Sequence, residues 1–154
     1  MHSGGIIRAM TSAVLTFPRP LYAEMVTHVL SNPALEMCGL LAGRAGMVDR
    51  VWPVPNALQS PVAYRMDGPE FAAAMVGCDF EPLGVFHSHP AGPSVPSPTD
   101  VAEAAYPDSI YVVISLQTAP PSVRAFTIVD AQVSEVTIII SSTRDVELPN
   151  EVES

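Results

Sequence analysis

Three β-rich segments follow one another near the end of the chain: Ile110 to Leu116, Val123 to Val129 and Val133 to Ile140. Each has the length of a strand, so this stretch commits the chain to a sheet. Upstream the order is mixed. Ala13 to Phe17 reads as a first strand, and Pro18 and Pro20 then open a helix over about Leu21 to Ser31. Leu21, Met25, Val26, Val29 and Leu30 fall on one face of that helix, and Asn32-Pro33 ends it. Strands are expected at about Glu36 to Ala42 and Val48 to Pro53, joined by a turn at Gly43 to Gly46. A polar connection at Asn56 to Arg65 leads to a helix at Asp67 to Gly77 and a strand at Leu83 to His89. A loop carrying Pro90, Pro93, Pro96 and Pro98 precedes a short helix at Asp100 to Ala105. This order predicts an α+β fold, a mixed β-sheet with helices packed on it.

The chain has 154 residues, 48% of them apolar, which suits one domain with a sizeable core. That domain is expected at 12–142, between a flexible N-terminus at 1–11 and an acidic flexible tail at 143–154. The net charge is −9, with seven arginines and no lysine. An acidic surface repels phosphate backbones, so nucleic acid is not an expected partner. No apolar run approaches the roughly 18 residues of a membrane helix, so no membrane partner is expected either. Cys38 and Cys78 make no disulfide framework, and no secretory pattern opens the chain. They read as reduced thiols of a cytoplasmic protein.

The chemistry concentrates in His87-Ser88-His89-Pro90 and the segment running on to Asp100. Strand side chains alternate between faces, so His87 and His89 point the same way, about 7 Å apart along the backbone. Two imidazoles so placed can converge on one ion, while Ser88 faces the other side. Ser97 and Pro98 fit the cap and first residue of a helix, which puts Asp100 in its first turn. From there its carboxylate can reach back to the histidines. Two histidines and one carboxylate leave a fourth tetrahedral position open, the usual composition of a catalytic zinc site. Glu36 is the candidate proton acceptor, a carboxylate at the start of the otherwise apolar run Glu36-Met37-Cys38-Gly39-Leu40-Leu41.

A Glu-x-Cys-Gly-Leu-Leu strand followed by His-Ser-His-Pro and Ser-x-x-Asp resembles the motif of the JAMM, or MPN-plus, metallopeptidases. The resemblance spans about Leu15 to Val129 and points to the compact prokaryotic members with a JAB domain, because Asn56 to Arg65 and Tyr106 to Ser109 leave little room for insertions. It implies a single MPN (JAB)-like domain and one Zn2+ per chain, bound by His87, His89 and Asp100. It also implies that Glu36 is the general base and that Ser97 stabilises the oxyanion. The implied reaction is hydrolysis of a peptide or isopeptide bond after the C-terminal Gly-Gly of a ubiquitin-like or sulfur-carrier protein.

Each motif has a plainer reading beside this one. Histidines on a strand often only hydrogen-bond in the core. Ser97 can be a helix cap and nothing more, or both cap and donor. Glu36 can end a surface loop. Cys38 could offer a thiolate or simply fill the core as a small buried residue, and the prolines of the loop can serve only as stiffeners. Two other functions compete. A non-catalytic MPN scaffold predicts a damaged motif, and the motif is intact. A RadC-like, DNA-repair-associated protein shares the pattern from His87 to Asp100, but the Glu-x-Cys-Gly strand and the net charge of −9 stand against it.

Overall fold

The computed structural model describes residues 14–66 and 81–142. The expected helix at Asp67 to Gly77, Cys78, the 1–11 segment and the 143–154 tail lie outside these residues or at their margins. The elements in chain order are β1 (Val14–Pro18), α1 (Arg19–Leu30), β2 (Cys38–Arg44), β3 (Met47–Val54), β4 (Glu81–His89), α2 (Pro98–Glu103), β5 (Ile110–Ser115), β6 (Ser122–Val129) and β7 (Gln132–Ser141). The expected mixed sheet is present, and it curls shut in the order β1-β3-β2-β4-β5-β6-β7. Closure comes from parallel pairing of β1 with both β7 and β3.

Two-residue turns join β2 to β3 and β6 to β7. Ala45-Gly46 and Asp130-Ala131 all take positive φ, the type I′ geometry whose twist matches that of the flanking strands. The two prolines open α1 as expected: Pro18 occupies the N-cap position, without a side-chain cap bond, and Pro20 lies in the first turn, where the backbone N–H has no helical partner to lose. Met25 and Val29 are buried against the sheet, whereas Leu30, assigned to the same face, is exposed at the helix end.

The central strands β2 and β5 are apolar on both faces, and period-two alternation divides them between two packed layers. Leu41, Phe86, Val112 and Ile114 join Phe17, Met25 and Val29 in the larger core. Leu40, Val85 and Tyr111 face the other way, where Val101 and Ala104 in and beside α2 pack over them. This second face carries the chemistry, because His87 and His89 follow Val85 at two-residue steps along β4. Gly39 allows the close fit behind it: a Cβ there would strike the Phe86 ring and lie 2.6 Å from the Trp52 carbonyl oxygen.

Candidate metal centre

The end of β4 lies between β2 and β5, with His87 opposite Cys38 on one side and Val113 on the other. The backbone therefore fixes both histidine Cβ positions, and the residues are 1% and 5% exposed. Ser97 caps α2 in a reciprocal box: its Oγ accepts from the Asp100 N–H at 3.0 Å, and the Ser97 N–H donates to Asp100 Oδ2 at 2.9 Å. The helix accordingly starts at Pro98, the first helical position that the Ser97-Pro98 pair indicates, and ends at Glu103 rather than Ala105.

That same Oδ2 lies 3.1 Å from both His87 Nε2 and His89 Nε2, and the two nitrogens are 3.0 Å apart. Glu36, His87 and His89 also place donor atoms within 4.8 Å of one another, a group that could hold a metal ion. The structure thus brings Glu36, His87, His89, Ser97 and Asp100 to one place from three separate segments.

The donor chemistry fits a cation. His89 Nδ1 lies 2.8 Å from the Pro93 carbonyl oxygen, which can only accept, so Nδ1 carries the hydrogen and Nε2 of the neutral ring presents a lone pair. That lone pair faces a carboxylate oxygen and a second imidazole nitrogen. A tetrahedral ion with ligand bonds of about 2.0 Å needs donor atoms about 3.3 Å apart, close to the observed triangle. Burial favours neutral His87, while hydrogen bonds with His87, His89 and the Ser97 N–H outweigh burial at Asp100 and hold its carboxyl well below the usual range. At His89 burial acts downward, but in the metal-free protein a protonated ring can donate from Nε2 to Asp100 and from Nδ1 to Pro93, and these bonds outweigh burial, so the net shift is upward; a bound cation would take the place of the Nε2 proton. A neutral imidazole beside an ionised carboxylate is the protonation state that metal binding requires.

Glu36 is not on β2, as its apolar run suggested, but in the irregular segment just before it. It is 4% exposed, and its Oε1 has no hydrogen-bond partner among the described residues. Burial pushes its carboxyl up to about 7; a charge on His89 opposes that shift and the charge on Asp100 adds to it. Cys38 is a core residue. Its thiol donates to the Val54 carbonyl at 3.3 Å, and burial, then the charge of Glu36, pushes its pKa up to about 12.

The sequence places Ser88 on the far face of β4 without a partner for it, and it does not single out Asn56 or Tyr64. Ser88 faces away from its histidine neighbours and grips the Glu36 segment: its N–H donates to the Met37 carbonyl and its Oγ accepts from the Met37 N–H, both at 2.9 Å. Asn56 is buried and donates from Nδ2 to the Glu36 carbonyl at 2.9 Å. Tyr64 stacks on His87, with ring centroids 4.3 Å apart. Position two in His-Ser-His was a signal for Ser88; Asn56 and Tyr64 sit in a polar connection without any periodic pattern.

A groove of about 530 Å³ lies beside the centre, with Asp100, Tyr64, Val85, Tyr106 and Tyr111 among its lining residues. No helix among the described residues is long and apolar enough to cross a membrane.

The chain is similar to proteins of known description over most of its length. The CysO-cysteine peptidase of Mycobacterium tuberculosis is 38% identical over 138 residues, covering 84% of this chain and 93% of that protein. A protein of Thermus thermophilus described as a probable TtuB-protein conjugate cleaving protease is 36% identical over 141 residues, covering 89% of this chain and 90% of its own. A JAB1/MPN domain protein from Archaeoglobus fulgidus shares the fold at a TM-score of 0.57 and 16% identity, covering 83% of this chain and 97% of that one. The fold is therefore that of a single JAB/MPN domain. The model of prokaryotic homologs of the JAB domain matches residues 18–129, a span that contains all five residues of the centre, and the chain belongs to that family.

Proposed function

We propose that this chain is a zinc-dependent metallopeptidase of the cytoplasm. It would hydrolyse a peptide or isopeptide bond after the C-terminal Gly-Gly of a ubiquitin-like or sulfur-carrier protein. The convergence of His87, His89 and Asp100 donor atoms at 3.0–3.1 Å, beside the buried carboxyl of Glu36, carries this reading. His87, His89 and Asp100 would hold one ion per chain, within a domain at 12–142. Two relatives described as acting on CysO-cysteine and on TtuB-protein conjugates support the substrate class. The groove beside Asp100 supports it too, since an extended chain end free of bulky side chains suits a trough that reaches the centre.

Bound zinc would supply Lewis-acid polarisation of the scissile carbonyl and a water whose pKa is brought to about 7. Glu36 takes the proton of the attacking water and delivers it to the leaving amine. In the metal-free protein burial pushes that carboxyl up to about 7, and beside a bound cation it would be drawn back down toward the ionised form that accepts the proton. Ser97 Oγ spends an acceptor site on the Asp100 N–H, which leaves its hydroxyl hydrogen to donate to the developing oxyanion. Ser97→Ala is expected to lower kcat about 100- to 1,000-fold and to cost about 1 kcal/mol of stability through loss of the cap. A lower melting temperature with an unchanged kcat would make Ser97 a cap alone.

The deciding measurement is the intact mass of a ubiquitin-like sulfur carrier bearing a few residues beyond its Gly-Gly, incubated with zinc-loaded protein. Removal of the extension alone is the expected result. An unchanged mass, repeated with an isopeptide-linked conjugate of the same carrier, would overturn the substrate class and favour the scaffold reading.

A further inference from the structure

A ligating imidazole is ordinarily held in its plane by a hydrogen bond from its second nitrogen. His89 has one, through Nδ1 to the Pro93 carbonyl. His87 does not: its Nδ1 is buried without a hydrogen-bond partner among the described residues. The strand fixes the His87 Cβ but leaves rotation of the ring about its last side-chain bond to whatever packs on it. What packs on its face is Tyr64, at 4.3 Å between centroids and 23° between planes. A parallel neighbour at that distance blocks rotation out of the plane, and the contact is itself favourable.

Tyr64 is in turn held from both sides. Asn56 Nδ2 donates to the Ala63 carbonyl at 2.9 Å, and Asn56 Oδ1 accepts from the Arg65 N–H at 3.1 Å, so the residues flanking Tyr64 are clipped to one buried amide. The same Asn56 donates to the Glu36 carbonyl and accepts from the Leu58 N–H at 2.9 Å, which uses both donors and both lone pairs. One loop thus ties the segment bearing Glu36 to the ring that packs on His87.

We propose that Tyr64 is a positioning residue for the metal centre, setting the plane of His87 by stacking where a hydrogen bond would otherwise do so, with Asn56 holding Tyr64 in place. This inference rests on the metal-centre reading of His87, His89 and Asp100. The test is a cobalt(II) titration of the full chain against a chelating dye, with the absorption spectrum of the cobalt-loaded protein recorded alongside. Wild type and Tyr64→Phe, which keeps the ring, should share one affinity and one spectrum. Tyr64→Leu should bind about 10- to 100-fold more weakly with shifted bands, and Asn56→Ala should move both readouts in the same direction. A packing role alone would lower the melting temperature of metal-free Tyr64→Leu and leave affinity and spectrum as in wild type, which would overturn the proposal. So would equal losses in Tyr64→Phe and Tyr64→Leu, since the hydroxyl rather than the stack would then be the agent. If Tyr64→Leu does not fold, Tyr64→Met, of similar length but without a ring, decides by the same criteria. Failure of the wild type to bind cobalt or zinc would instead remove the metal-centre reading itself.

Discussion

Glu36→Gln is expected to slow hydrolysis by about 1,000- to 10,000-fold while leaving metal content at the wild-type level. Loss of a positioned general base typically costs about 100- to 10,000-fold, and the upper part of that range is expected because the amide keeps the shape of the carboxyl without its basicity. Metal analysis beside the rate distinguishes the two roles that the position of Glu36 allows, since its carboxyl also lies within 4.8 Å of both histidine donor atoms. A wild-type rate would remove Glu36 as the base; a wild-type metal content lost along with the rate would make it a ligand.

The same substitution should stabilise the metal-free protein at high pH. In the unfolded chain Glu36 titrates near 4.5, and in the folded protein at about 7. Between those values the folded state holds more protons than the unfolded state, so stability falls as pH rises and the cost is complete above about pH 7. Removing the ionisable group removes that cost, on the order of 3 kcal/mol. Urea denaturation of metal-free wild type and Glu36→Gln at pH 5 and pH 8 should therefore show curves that separate much further at pH 8 than at pH 5. Equal stability at pH 8 would show that the carboxylate is better solvated than its burial indicates.

Asp100→Ala should abolish stabilisation by zinc. In the wild type, zinc at 1,000 times its dissociation constant adds about 4 kcal/mol, which in a domain of this size raises Tm by roughly 10 °C. Asp100 supplies the oxygen that lies 3.1 Å from both histidine nitrogens, so its removal leaves two neutral donors and no anionic charge at the centre of the triangle. It also breaks the reciprocal box that starts α2. The metal-free variant should therefore melt a few degrees lower, and zinc should not raise its Tm. Thermal scans with and without zinc check both parts. A variant that still gains the full shift would place the ion elsewhere, with Glu36, His87 and His89 as the obvious alternative set. Asp100→Asn separates the contributions, because it can keep the cap contact while losing the charge.

The parts of the centre that the sequence determined are those governed by local geometry. A two-residue step on a strand puts His87 and His89 on one face whatever the rest of the chain does. Ser97-Pro98-Thr99-Asp100 starts a helix through contacts confined to four residues, and that fixes the carboxylate of Asp100. The resemblance carried by these motifs extends over nearly the same residues that the family model matches, 18–129. Strand positions were legible for a similar reason, since apolar runs bounded by turns are short-range patterns.

Only the tertiary structure decided what surrounds those motifs. Leu40 and Leu41 are equally apolar in sequence, yet they serve opposite layers, because β2 is covered on both faces. Closure of the sheet depends on β1 pairing with β7, more than a hundred residues away, and no local pattern encodes that choice. Glu36 meets the histidines through the register that sets Cys38 against His87, reinforced by Ser88 on Met37 and by Asn56 on the Glu36 carbonyl. Asn56 and Tyr64 lie in an aperiodic loop whose side chains acquire partners only when distant strands bring those partners within reach. A buried asparagine with every hydrogen bond satisfied and a tyrosine stacked on a histidine are outcomes of packing, and packing is where the preference of a single residue stops being informative.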